Sequence, residues 1–199
     1  PMPVEVISYL LSERDREQRL RSQLVLQCAP FLKGIKAAAI TNLPSQAEEL
    51  LEKVLAGTGI SYRVLAVRKK RCLVFLYRRI TFERYIGRRE NVEFLAGFGY
   101  TEGSAEEMLG RLADRIGMYA GRELVFPHEI GVFLDYPLAD VEGFIRNAGR
   151  DYLLSGYWKV YHDPDGAREL FRAYDRARDC AVRELLQGKG MSEIAVRAA

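Results

Sequence analysis

The chain has 199 residues, 48% hydrophobic and 29% charged with only 7 prolines, a composition that fits one good core and excludes general disorder. Its longest apolar runs, such as CLVFLY at 72–77, have strand length and exclude a helix spanning a membrane. The net charge of +3 conceals an asymmetry, because ten basic side chains lie between Arg63 and Glu90 against two acidic ones and the remainder is net acidic. That cluster reads either as a solvated hairpin tip and helix face or as a site for an anion: nucleic acid, a nucleotide or an acidic partner.

Chain order predicts the elements. Residues 4–27 read as one or two helices on a stripe of Leu10, Leu11, Leu20, Leu24 and Val25. CAPFLKG then breaks the pattern at Pro30 and Gly34, and IKAAAITNL at 35–43 reads as a strand. PSQAEELLEKVLAGTG is a helix opened by Pro44 and Ser45 and closed by Gly57 and Gly59. ISYRVLAV and CLVFLYRR form a hairpin joined by the basic tip RKKR. Helices are expected at 81–87, 90–97 and 104–120. SGYWKVYHD at 155–163 alternates like a strand, with Trp158 and Val160 toward the core. Asp163 then caps a long helix whose first residue is Pro164. The tail 188–199 is expected to be loosely held. The expected architecture is a single α+β domain over 1–199, with a small, mainly antiparallel sheet of three or four strands against several helices and a helical region at 100–150.

Cys28, Cys72 and Cys180 are odd in number and scattered, which points to a reducing, cytoplasmic setting and not to a disulfide framework. The first residues carry no cationic stretch ahead of an apolar one, so no secretion signal is expected there. No Cys/His spacing suits zinc, and no metal or cofactor is assigned.

CAPFLKGIK (28–36), LVFLYRR (73–79), FPHEIGVFLDYPLADVEGFI (126–145) and GYWKVY (156–161) together resemble an uncharacterised bacterial family, domain-of-unknown-function family 3793. The resemblance covers nearly the whole chain and implies a cytoplasmic bacterial protein, but it transfers no activity and no catalytic residue. Many members of that family place a cysteine just upstream of GYWKVY, where this chain has Leu153, Leu154 and Ser155. The departure argues against a metal or redox site built on a thiol there.

Three functional readings remain open. The first is binding of an anionic, nucleotide-like small molecule or an acidic partner by Lys36, Tyr77, Arg78, Tyr157, Lys159 and Tyr161. These are cations interleaved with aromatics near strands, a mixture suited to charge-assisted hydrogen bonds and stacking. The second is a cysteine-dependent enzyme. Cys28 would lie at the start of a short helical turn, which depresses a thiol pKa, and His128 beside Glu129 would open the next helix as a neutral base. The third, weaker reading is a nucleic-acid-binding regulator with a helix-turn-helix-like segment at 129–145. Ile130, Gly131, Leu134, Val141 and Ile145 fit that template, and Asp135 falls where the turn needs a positive φ. Asp140 and Glu142 on the second helix oppose contact with phosphates. GTG at 57–59 ends a helix, so it is neither a Rossmann nor a P-loop fingerprint.

Overall fold

A computed structural model describes residues 4–121 and 126–196. The chain divides into two compact units, one made of residues up to Arg78 together with those from Ala173 onward, the other of Arg79–Arg172. The architecture is α+β, as expected. Among the described residues no helix is long and apolar enough to cross a membrane.

The first unit begins with α1 (Val4–Leu11) and α2 (Arg16–Leu32), the latter capped by Asp15, whose carboxylate accepts from the Gln18 amide at 2.8 Å. Strand β1 (Ala38–Pro44) and a single 3₁₀ turn (Ser45–Ala47) lead to α3 (Glu48–Leu55). Strands β2 (Ser61–Arg68) and β3 (Arg71–Tyr77) complete an antiparallel sheet of order β1-β3-β2. Central β3 pairs Tyr77 with both Ala38 and Ser61, and a bulge at Leu65 shifts the register of β2. The basic tip forms as expected. Lys69 takes φ 53° in the turn, and Arg68, Lys69, Lys70 and Arg71 are all exposed. Leu24, Phe31, Leu32, Leu43, Leu51, Cys72 and Leu76 are fully buried between the helices and the sheet.

Two expectations for this unit are corrected. Pro30 does not end the helix, because α2 continues through it to Leu32. Its ring removes one backbone donor near the helix end, and the burial of Ala29, Phe31 and Leu32 holds the turn in place. Nor is the described part of the tail loose. After Gly188 the short helix α10 (Met191–Ile194, numbered after the helices of the second unit) buries Met191 and Ile194 in the same core, and the Val196 amide donates to the Leu32 carbonyl at 3.0 Å. Residues 197–199 of the expected tail lie outside the described set.

The second unit is mostly helical: α4 (Arg79–Ile86), α5 (Arg89–Ala96), α6 (Ala105–Ala120), α7 (Ile130–Phe133) and α8 (Leu138–Arg146). A capping box starts α6, where Ser104 and Glu107 exchange bonds between side chain and main chain. The anticipated strand at 155–163 shrinks to a two-residue ladder of β4 (Leu154–Ser155) and β5 (Lys159–Val160). Trp158 and Val160 are buried as the alternation implied. Asp163 caps α9 (Pro164–Leu186), its carboxylate accepting from the Gly166 amide at 3.0 Å. That helix starts in the second unit and ends in the first.

Candidate functional site

The segment from Phe126 to Arg146 folds as a corner in which α7, only one turn long, is followed by Asp135 at φ 61° and then α8. The positive φ falls where the helix-turn-helix template needs it, but four residues are too few to brace a second helix against DNA. The exposed face of α8 carries Glu142. The corner is a packing element.

Against this corner the β4–β5 ladder closes a pocket of about 400 Å³. Phe126, His128 and Phe144 form one wall, with His128 ring centroids 5.2 Å from Phe126 and 5.0 Å from Phe144. Tyr136 and Trp158 form another, stacked at 5.2 Å and 27°. Trp158 also meets Phe171 edge-on at 4.6 Å. Gly131 and Gly143 set the spacing: a Cβ on Gly131 would lie 2.8 Å from Val141, and one on Gly143 would lie 2.5 Å from the Tyr161 ring.

Asp140 holds the walls together. It is 2% exposed, in the first turn of α8, and accepts from Trp158 Nε1 (2.7 Å), the Tyr161 amide (2.7 Å) and the His162 amide (2.8 Å). One carboxylate therefore satisfies three donors of the GYWKVYH segment, each bond being of the strong charge-assisted kind. Lys159 lines the pocket beside it. Its ammonium donates to the Gly149 carbonyl at 2.6 Å and lies 4.9 Å from the Tyr152 ring centroid and 5.8 Å from that of Phe144.

His128 is half-buried, and no hydrogen bond reaches its imidazole among the described residues. Burial lowers its pKa below the ordinary value, opposed by the neighbouring Glu129 charge. Burial therefore favours the neutral ring that the sequence reading expected of a base. Glu129 itself is fully buried and turned away. It is ion-paired with Arg115 of α6 and accepts from the Tyr100 hydroxyl at 3.1 Å, while its Oε2 has no partner among the described residues. A carboxylate spent on an internal ion pair does not orient His128 for base catalysis.

The remaining sequence candidates separate. Tyr157 is exposed against Phe171 at 5.5 Å, and Tyr161 packs on Gly143 with its hydroxyl buried. Cys28, Lys36, Tyr77 and Arg78 belong to the first unit. Cys28 is 1% exposed near the end of α2, not at a helix start, and burial pushes its thiol up to about 12 against a smaller opposing effect of Lys36. Both surroundings disfavour the thiolate, which corrects the reading of Cys28 as a nucleophile. Tyr77 is buried at 2% beside Phe75, and Lys36 lies 5.9 Å from the Tyr174 ring centroid.

Arg78 is also corrected. It is 6% exposed, stacks on Phe31 at 4.7 Å, and donates to the carbonyls of Phe31 (3.0 Å), Leu32 (3.3 Å) and Val196 (2.7 Å). It caps the end of α2 and fastens the segment after α10. Burial lowers its pKa, but a guanidinium stays charged, and the helix carbonyls compensate that charge.

Asp140, Ser155, Trp158 and Phe144 were not singled out as site residues from the sequence. Asp140 had a visible signal, an acid among the apolar positions that start α8, but its partners lie some twenty residues downstream. Among the described residues no group of three or more His, Cys, Asp or Glu converges as metal ligands would. No curated protein and no solved structure gives a significant match to the chain. A family model does match, over residues 24–195 and so over both units, and the chain belongs to that family, described as a protein of unknown function (DUF3793).

Proposed function

We propose that the second unit binds a small anionic molecule carrying a flat ring, held in the pocket between α7, α8 and the β4–β5 ladder. One observation carries this reading: a cavity of about 400 Å³ walled by His128, Phe144, Tyr136 and Trp158, with the Lys159 ammonium in its lining. Pockets of a few hundred Å³ that are mostly apolar, with a few placed polar groups, are the usual seats of small ligands. The aromatic walls suit ring stacking, and Lys159 sets the sign of the charge. A cationic ligand would compete with that ammonium for the faces of Phe144 and Tyr152.

Thermal-shift screening of aromatic acids and nucleotides tests the proposal, because a ligand that binds only the folded state raises the melting temperature. Hits should stabilise the wild type and lose most of that effect in Lys159→Gln. Hits that stabilise both proteins equally would remove Lys159 from the site and with it the anionic reading.

A further inference from the structure

Resting on the pocket reading above, we infer that the ligand's anionic group is a single carboxylate, seated between the Lys159 ammonium and the Ser155 hydroxyl. Ser155 and Lys159 are directly opposed across the antiparallel β4–β5 ladder, and both line the pocket. Residues paired in this way project from the same face of a ladder with Cβ atoms about 5 Å apart. Their ammonium and hydroxyl are donors on one face of the ladder, as recognition of a single carboxylate by both would need.

Both groups have donors to give. Lys159 commits one of its three N–H groups to the Gly149 carbonyl, and no other acceptor takes the remaining two among the described residues. The same bond fixes the ammonium in position, so little side-chain freedom is lost when a ligand arrives. Ser155 is exposed, and its hydroxyl makes no hydrogen bond among the described residues. The third polar group nearby, the Asp140 carboxylate, is occupied by its three donors and adds a negative charge to the same wall.

These charges decide the ligand class. One ammonium set against one buried carboxylate tolerates a monoanion better than a phosphate dianion or a polyphosphate. Among the described residues no arginine lines the pocket, so those walls offer no bidentate fork of the kind that favours phosphate. The ring then lies among His128, Phe144 and Trp158, and the neutral imidazole can donate or accept one hydrogen bond at the ring edge. The ligand class is therefore an aromatic monocarboxylic acid, not a nucleotide.

The test uses the full chain, isotope-labelled, whose single tryptophan gives one indole N–H resonance from the pocket wall. Naphthoate, naphthamide and naphthyl phosphate are titrated in turn, followed by that resonance and by calorimetry. Naphthoate should shift the resonance saturably, and naphthamide should bind at least about tenfold more weakly, the worth of one charge-assisted hydrogen bond. Naphthyl phosphate should gain nothing over naphthoate. Ser155→Ala, a change at an exposed position, and Lys159→Gln should each narrow the gap between acid and amide, with an otherwise unchanged spectrum proving the fold. Tighter binding of naphthyl phosphate would overturn the carboxylate class and leave the anion pocket standing. Equal binding of acid and amide would remove charge recognition from both readings. Silence from all three compounds would sink the pocket reading itself.

Discussion

Arg78 and Lys159 are both cations beside aromatic residues at the end of a strand, and their surroundings in the two units could hardly differ more. Arg78 spends its guanidinium on three main-chain carbonyls inside the first unit, where α2 would otherwise end in unsatisfied acceptors. Lys159 gives one bond to Gly149 and holds the rest of its ammonium in the lining of the pocket. The lesson is that a cation next to an aromatic does not mark a ligand site; what matters is whether the main chain has already used its donors. The same contrast separates Cys28, sealed among Leu24, Phe31 and Leu32, from His128, half-open among rings.

The contrast can be broken by mutation, and the largest effect should come from the pocket's own scaffold. Asp140→Ala strands an indole N–H and two amides, so urea unfolding should show a loss of about 3 kcal/mol or more. The Trp158 emission should change with it. A loss below about 1 kcal/mol would mean that water replaces the carboxylate and that the pocket walls stand without it. In the first unit, Arg78→Ala should cost about 2–3 kcal/mol, and Arg78→Lys should recover only part, since a point charge cannot reach three carbonyls at once. Full recovery by lysine would show that charge at the end of α2, and not the fork, is what counts.

Next in size is Gly143→Ala. Its Cβ would intrude to 2.5 Å from the Tyr161 ring and should destabilise by about 1–3 kcal/mol in thermal unfolding, with the indole environment disturbed. Cys28 sharpens the comparison through pH. Its folded pKa of about 12 exceeds the ordinary thiol value of about 8.5 expected in the unfolded chain. The folded state keeps a proton that the unfolded state loses, so the contribution is whole below about pH 8.5 and declines as pH climbs toward 12. Cys28→Ala should flatten that alkaline decline, as measured by unfolding at stepped pH; an unaltered decline assigns it to other groups.

The smallest effect belongs to His128. Its folded pKa is depressed, so its share of stability is present above about pH 6.5 and is lost as pH falls through the folded value. An NMR titration of the imidazole should place the midpoint below 6.5; one above it would mean that the Glu129 charge outweighs burial.

Local rules were legible in the sequence wherever a residue's partner lies a few positions away. The RKKR tip, the cap at Asp163 and the helix at 105–120 all follow from turn, capping and periodicity chemistry, and each formed. Pro30 misled because a proline near a helix end is tolerated when tertiary burial replaces the missing bond, and burial is not a local property. Glu129 misled for a related reason. Its neighbour in sequence is His128, but Arg115 of α6 and Tyr100 of the loop before that helix take its charge. His128 and Lys159 were named from the sequence without any sign that they share a pocket. That sign is Asp140, which ties the start of α8 to Trp158 and to the residues just after β5.

The first unit is assembled from two distant stretches of chain, with Ile194 and the Val196 carbonyl completing a core and a cap begun by residues before Arg78. The second unit is one unbroken stretch. During synthesis from the amino end, the unit that starts first must therefore wait for the residues that follow Ala173. The pocket-bearing unit has all its parts once Arg172 is made, before those residues follow, so the usual vectorial order of folding is reversed, and the first unit's sheet and Cys28 wait longest for their final cover.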